Sequence, residues 1–352
     1  MSRTPPPRTD DVVIVKPSPL NAETPAHALA AEITPTAHVY VRSNFPTPPV
    51  HAGSHRITVV GAVRAPLVVT MDGLRALPSR TVVATMECAG NDRSFMRPLP
   101  PGELWQSGAV STARWSGVPL SLVLERAGIN SDAVEILVEG TDAGPRDDAE
   151  QPGPVAFARA LPLADAVHPD TLLALMMNDE PLRPEHGAPV RLVAPGWYGM
   201  ASVKWVARIE ARTTPFGGYF QTRRYVYDDG DGVTAVTRAR VKSLIVSPVT
   251  GAQIPRAPAR VWGWAWSGAG AITRVEVAVD GGDTWRDARV HAPASPHAWT
   301  RWEIDWEPRE RGRYALRSRA TDAAGAVQPD AVRANRLGYG NNAVQAVIVD
   351  VC

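Results

Sequence analysis

Apolar and polar positions alternate over short stretches along most of this chain, and helical spacing appears only briefly. From Arg56 onward, RITVVGAV reads as a strand, PLVVTMDGLRALPS as a second strand running into a short helix, and TVVATME as a third strand that delivers Cys88 at its end. Asp-, Gly- and Pro-rich loops then alternate with the segments VPLSLVLERAG, VEILVEG, APVRLVAPG and VKWVARIEA. This alternation predicts a mixed α/β domain over residues 31–240. The first 30 residues are rich in proline and polar groups, which favours an extended N-terminal arm over a packed element.

Near Ser247 the pattern changes. RVWGWAWSG, ITRVEVAVDGG, TRWEIDW, GRYALRSRATD and NAVQAVIVDV are five period-2 runs separated by Gly, Pro and Asp turns, with no helical periodicity between them. An immunoglobulin-like β-sandwich over 247–352 is the expected architecture, so the fold class is α+β. The alternating tryptophans of WGWAWSG predict a packed core between two sheets, and an apolar strip left outside it would suit a two-fold dimer contact.

Composition narrows the function. The length of 352 residues suits about two domains at roughly 150 residues each. A net charge of +1 and arginines spread over both halves give no basic stripe of the kind that grips nucleic acid. No apolar run approaches the ~20 residues of a membrane span. The N-terminal residues lack an export signal, which predicts a cytoplasmic protein, or a periplasmic one if a leader has been removed. With Cys88 and Cys352 as the two cysteines, neither a disulfide framework nor a CxxC zinc site is expected.

The sharpest local signal is MECAGNDRSFMRP, residues 86–98. A lone cysteine is commonly a small buried apolar group. Here Ala-Gly-Asn follows at once, letting the backbone approach something bulky, and Arg93 would favour the metal-binding thiolate. One thiolate cannot hold an ion alone, and no His/Cys/Asp cluster at zinc spacing supplies more ligands, so the rest would arrive with a cofactor. A hydrolase nucleophile at Cys88 would need a partnering histidine, to which no local signature points.

The chain resembles the sulfite-oxidase family along nearly its whole length. The resemblance runs through SPLNAETPAHALAAEITPTAHVYVRSNFPTP (18–48), ECAGNDR, WQSGAVSTARWSGVPL, EGTDAG, HGAPVRLVAPGWYGMASVKWV and the C-terminal sandwich. It implies a sulfite-oxidase-type molybdopterin-binding domain, one molybdenum-molybdopterin per chain, no haem, and pairing into a homodimer through the Ig-like domain. By matching position Cys88 is the molybdenum ligand, and Arg42, Arg93, Trp105 and Tyr225 line an anion pocket beside the metal. Forked guanidiniums suit a small oxyanion, although either arginine would serve equally as a surface salt-bridge partner. The pterin contacts implied are Tyr40, Val41, Arg42, Ser43, Asn44, Asp142, His186, Arg191, Ser202, Val203 and Lys204; His186 reads equally as a satisfied core histidine.

Three positions depart from the family pattern. Animal and plant members carry histidine where Asn44 stands and arginine where Ala201 stands. The sandwich arginine of the animal enzyme's substrate pocket matches Leu337, with Arg336 next to it. The implied activity is oxygen-atom transfer, oxidising sulfite to sulfate with electrons passed to an external acceptor such as cytochrome c, a quinone-linked protein or oxygen. A nitrate or S-/N-oxide reductase on the same fold, and a non-catalytic binding or structural protein, are the alternatives.

Overall fold

The computed structural model of the chain describes residues 11–146, 153–281 and 284–352. Two five-stranded sheets form the first part. In one, Leu67–Thr70, Arg56–Gly61, Val206–Arg212, Glu135–Gly144 and Val155–Pro162 lie side by side in that order. All neighbours are antiparallel except Arg56–Gly61 with Val206–Arg212. In the other, Glu180–Pro181, Leu172–Met177, Val110–Pro119 and Arg80–Glu87 follow one another, with Arg191–Val193 added beside Leu172–Met177.

Antiparallel neighbours can be joined by short turns, whereas parallel ones need long crossovers. Helices are accordingly few and short, which corrects the expected α/β alternation to a strand-dominated region. The eight-residue helix Leu120–Ala127 buries Leu120, Val123, Leu124 and Ala127, the i, i+3, i+4, i+7 stripe, and stops at Gly128 with φ 69°. No helix among the described residues is long and apolar enough to cross a membrane.

The C-terminal part holds two further sheets. One orders Lys242–Ser247, Ala259–Trp266, Thr300–Trp306 and Arg289–Val290. The other orders Gln253–Ile254, Ala346–Val351, Gly312–Asp322, Ile272–Ala278 and Arg286–Asp287. Fully buried Val261, Ala265 and Trp302 of the first share one core with Val277, Leu316 and Val349 of the second. The span between residues 240 and 247, outside both expected domains, forms the first strand of this unit.

Two expectations are corrected. Trp264 and Trp266 do not pack between the two C-terminal sheets, because successive strand residues face opposite ways and Val261 and Ala265 occupy the inner face. The tryptophans instead cover the N-terminal part, clustering with Leu29, Val110 and Trp299. Trp264 stacks on Trp299 at 4.9 Å between centroids and donates to Leu29 O, and Trp299 donates to Glu32 O.

The other correction concerns the N-terminal arm. Residues 1–10 lie outside the described residues, as do Gly282 and Asp283. Residues 11–30 are not extended: Val13–Lys16 pairs with Asn21–Glu23, and a 3-10 turn follows at Ala26–Ala30. Asn21 and Ala22 are fully buried because Ala22 and Val41 exchange both backbone hydrogen bonds at 2.9 Å. Proline-rich composition did not exclude packing here, since the hairpin's donors are met by the next segment.

Trp264→Ala removes a 3%-exposed ring at the junction of the two parts, and a loss of about 3–5 kcal/mol in unfolding free energy is expected. Urea titration followed by far-UV dichroism measures it, and a change below about 1 kcal/mol would refute the packing role.

Candidate active site

Strand Arg80–Glu87 pairs without interruption against Val110–Pro119, from Arg80 opposite Gly117 to Glu87 opposite Val110, and the pairing stops there. Past that point a side chain replaces the ladder. Asn91 accepts from Ala109 N at 3.1 Å and donates to Glu87 Oε1 at 3.0 Å, while Cys88 N reaches Ala109 O at 2.8 Å. Asp92 takes a left-handed conformation at φ 63°, which turns the chain back and leaves the Cys88 side chain on the wall of a cleft.

Charge buried behind this turn holds it in place. Lys242 Nζ, 3% exposed, lies 2.9 Å from Glu87 Oε1 and 2.8 Å from Asp92 Oδ2, so one ammonium clamps carboxylates on both sides of Cys88. Burial alone would lower Lys242, but Asp92 and Glu87 outweigh it and hold the ammonium well above its ordinary value. Trp266 Nε1 donates to Glu87 Oε2 at 2.9 Å, and Asn341 Nδ2 donates to Asp92 O at 2.8 Å. Three of these groups come from the C-terminal part, so both parts build the site. None of Glu87, Asp92, Lys242 or Trp266 was singled out from sequence; the sole signal was acidic residues flanking a cysteine.

Counting its open mouth, the space within the cleft is about 740 Å³. Cys88 lines it, 5% exposed, together with the 40–44 segment on one side. Burial pushes the Cys88 thiol up, while Arg42, the Gly90 amide and Arg93 pull it part of the way back. Tyr40, Val41, Arg42, Ser43 and Asn44 form that side wall, held by Asn21, whose Oδ1 accepts from Ser43 N at 3.0 Å and from Arg42 Nη1 at 3.1 Å. Asn44 bridges the wall to the next element: its Oδ1 accepts from Arg42 Nη2 at 2.9 Å and its Nδ2 donates to the Tyr225 hydroxyl at 3.1 Å.

Asp142, His186, Arg191, Ser202 and Lys204 also line the cleft. Arg191 lies over the Trp115 ring and donates to His186 O at 3.2 Å and Ser202 O at 3.1 Å, with its buried Nε left without a partner. Lys204 Nζ donates to Ser43 Oγ at 2.7 Å and Glu185 O at 2.8 Å. Burial, reinforced by Arg191, holds Lys204 well below its ordinary value; burial and then Arg191 and Lys204 do the same to His186. Burial also brings Arg191 down to about 10 and raises Asp142, whose Oδ1 has no hydrogen-bond partner. Basic groups that depress one another in a cleft are arranged for an anion that would relieve them.

Three expected site residues stand elsewhere. Val203 is fully buried in the core, and Trp105, also at 0% exposure, packs in the same cluster as Cys88 rather than on the cleft surface. Arg93 is buried beside the cleft, not on its lining. Its Nη1 donates to Glu103 O at 2.9 Å, its Nε to Gly338 O at 3.3 Å, and its guanidinium covers the Tyr339 ring. Among the described residues no group of three or more His, Cys, Asp or Glu could hold a metal ion. A metal at Cys88 therefore takes its other ligands from a cofactor. Of the departures, Ala201 is buried, and Leu337 is a core residue at 4% exposure. Arg336 is 60% exposed and pairs with Asp228 at 2.6 Å, outside the site.

The comparisons with known proteins bear on the same residues. The family model of the oxidoreductase molybdopterin binding domain matches residues 44–220, and that of the Mo-co oxidoreductase dimerisation domain matches residues 233–352. Mitochondrial sulfite oxidase of Rattus norvegicus is 34% identical over 95% of this chain, which spans 64% of that relative's length. Sulfite oxidase of Gallus gallus is 35% identical over 93% of this chain and 75% of its own. Nitrate reductase [NADH] 1 of Nicotiana tabacum is 32% identical over 95% of this chain and 41% of its own. Among solved structures, the sulfane dehydrogenase SoxCD from Paracoccus pantotrophus aligns over 94% of this chain and 84% of its own, at TM-score 0.83 and 33% identity.

Two predictions test the architecture behind Cys88. Lys242→Ala leaves Glu87 and Asp92 buried without their cation and should cost about 3–5 kcal/mol, read by chemical denaturation; Lys242→Met with both acids neutralised (Glu87→Gln, Asp92→Asn) should recover part of it. Glu23, with its Oε1 buried and unpartnered, is pushed by burial from the ordinary value of 4.5 up to about 7, against the pull of the Gln106 amide and with help from Asp92. A carboxyl raised in the folded state contributes stability that is full below its unfolded value and lost as pH rises through about 7. Glu23→Gln should therefore melt about 2 °C or more above the parent at pH 8 and match it near pH 4.5, the comparison being thermal melts across that range.

Proposed function

Since this chain belongs to the sulfite-oxidase family of molybdopterin oxidoreductases, we propose that it oxidises sulfite to sulfate, with molybdopterin in the cleft and Cys88 as the protein's ligand to molybdenum. The observation that carries this reading is one buried thiol sharing a cleft with a basic cluster that has unpartnered polar atoms. The fit to a pterin phosphate is chemical. Arg191, Lys204 and Ser43 present donors to a doubly charged group, and Asp142 Oδ1 offers a free acceptor to a ring N–H. When bound, the molybdenum-pterin supplies oxygen-atom transfer coupled to a two-electron redox change.

The chain's own residues bind, orient and shield. Arg42 lines the cleft with Cys88 and offsets the effect of burial on its thiol more than any other group, and Asn44 and Asn21 fix its guanidinium so that little reorganisation accompanies anion binding. Tyr225 accepts from Asn44 through its oxygen, which leaves its own O–H proton free for a bound oxyanion. Arg93, tied to two carbonyls, adds positive potential behind the cysteine. The fully buried Trp105 and the nearly buried Trp115 exclude water from this end, which strengthens each electrostatic contact. Asn44, in place of histidine, still hydrogen-bonds on both its amide atoms, whereas Ala201 contributes no donor to the cofactor.

The domain reading is part of the proposal: a pterin-binding catalytic unit over 31–240 and an Ig-like unit over 247–352 that pairs two chains. The match to a dimerisation domain supports the homodimer. Because Trp264, Trp266 and Trp299 already cover the chain's own N-terminal part, the two-fold contact must use another surface of the sandwich. The electron acceptor is an external one, such as cytochrome c or oxygen.

Sulfite with ferricyanide, beside nitrate with reduced viologen, is the deciding steady-state assay. Sulfite oxidation with about one molybdenum per chain is expected; nitrate reduction without sulfite turnover would replace sulfite by the reductase reading, and absence of molybdenum after expression in a pterin-competent host would leave a scaffold. Cys88→Ser should retain pterin and lose turnover. Lys204→Ala and Arg191→Ala should lower pterin content, measured by fluorescence of the released oxidised pterin.

A further inference from the structure

Beside the Cys88 cleft the structure gathers a cation that the expected residues do not include, Arg224, which reaches Gly102 close to Arg93. Three guanidiniums surround the Gly102-Glu103 segment: those of Arg42, Arg93 and Arg224. Gly102, at φ +99°, stands near both guanidiniums: a Cβ there would lie 3.1 Å from Arg93 Nη1 and 3.8 Å from Arg224 Nη2. A side chain at 102 would enter the space the two cations share.

The three are not equally free. Arg42 Nη2 lies 3.5 Å from Glu103 Oε2, so a carboxylate already offsets its charge. Arg93 spends two donors on the carbonyls of Glu103 and Gly338. Arg224 closes the turn Phe220–Arg224, next to Tyr225, and is partly buried. Its Nε is buried without a hydrogen-bond partner, and among the described residues no ion pair joins it to a carboxylate. Burial alone would lower Arg224, but Tyr339, Tyr225 and Tyr219 outweigh it and the repulsion of Arg42, holding its guanidinium above its ordinary value. Leu337, the position matched by resemblance to the sandwich arginine of the animal enzyme, is packed in the core, and Arg336 is spent on Asp228 at the surface.

We propose that Arg224 is the specificity-determining cation of this pocket, supplying from the Phe220–Arg224 turn the positive charge that Leu337 does not, and that Glu103 tempers it by neutralising Arg42. The favoured ligand is a doubly charged tetrahedral or pyramidal oxyanion of sulfur. This rests on the sulfite reading above and adds the residue that sets its charge preference. Arg224 acts on binding rather than on the bond-making step, because its charge meets substrate and product alike.

The test uses the purified holoenzyme and two readouts, sulfate affinity by titration calorimetry and the sulfite KM and kcat. Arg224→Gln should weaken sulfate about tenfold or more and raise KM similarly, with kcat within about twofold; Arg224→Lys should recover part of the affinity. Glu103→Gln should tighten sulfate, and the effect of Arg224→Gln should shrink as salt is added. Arg336→Gln should change neither readout. Unchanged sulfate affinity in Arg224→Gln while Arg42→Gln weakens it would overturn the inference and leave the activity standing, as would a loss seen in Arg336→Gln instead. A chain that binds sulfate through Arg224 yet oxidises no sulfite would remove the proposed activity and keep the anion site.

Discussion

One buried ammonium organises this molecule. Lys242 stands at the first strand of the C-terminal sandwich and pairs with Glu87 and Asp92, which bracket Cys88 in the N-terminal part. Charges buried at 3% exposure or less are tolerable only with partners, and each of these carboxylates has its partner across the domain junction. The sandwich is therefore not an appendage. Without it the turn that presents the cysteine has two buried anions and no cation, and Ala89 loses the Gly340 amide that donates to its carbonyl.

The cleft follows a complementary rule. Where the Lys242 cluster is internally balanced, the cleft is not: burial disfavours the protonated forms of Arg191, Lys204 and His186, and Arg191 adds to the effect on the other two. Opposite them the thiol of Cys88 is pushed towards its neutral form. An anionic ligand at one end and a cation at the thiol relieve both at once. A pterin phosphate joined to a metal through its sulfurs is a single ligand with both features, so the electrostatics and the family membership support the same occupant.

Much of the architecture was legible in sequence. Alternation placed the strands at Arg56–Gly61, Arg80–Glu87 and in the C-terminal part. Position matching to the family collected Tyr40 to Asn44, Cys88, Asp142, His186, Arg191, Ser202, Lys204 and Tyr225, and these all line one cleft. The errors share a cause: a period-2 run has two faces, and periodicity does not say which one a neighbour will cover. The tryptophans of WGWAWSG were thus expected between the sheets and are found against Leu29 and Val110. Likewise the proline-rich start hides a hairpin, Val13–Lys16 with Asn21–Glu23, whose second strand is tied down by a distant residue, Val41, through its bridge to Ala22.

What the chain alone determines is the chemistry available at each position and the local elements that carry it: a thiol ending a strand, a glycine-permissive turn after it, arginines at family-matched sites. Tertiary structure decided which of these charges are spent and which are free. Lys242 and Arg93 lie far in sequence from partners that consume them, whereas Arg191 and Arg224 keep buried donors unclaimed. Pairing of this kind depends on distance in space between residues up to 245 positions apart, and hydrophobic periodicity contains no term for it.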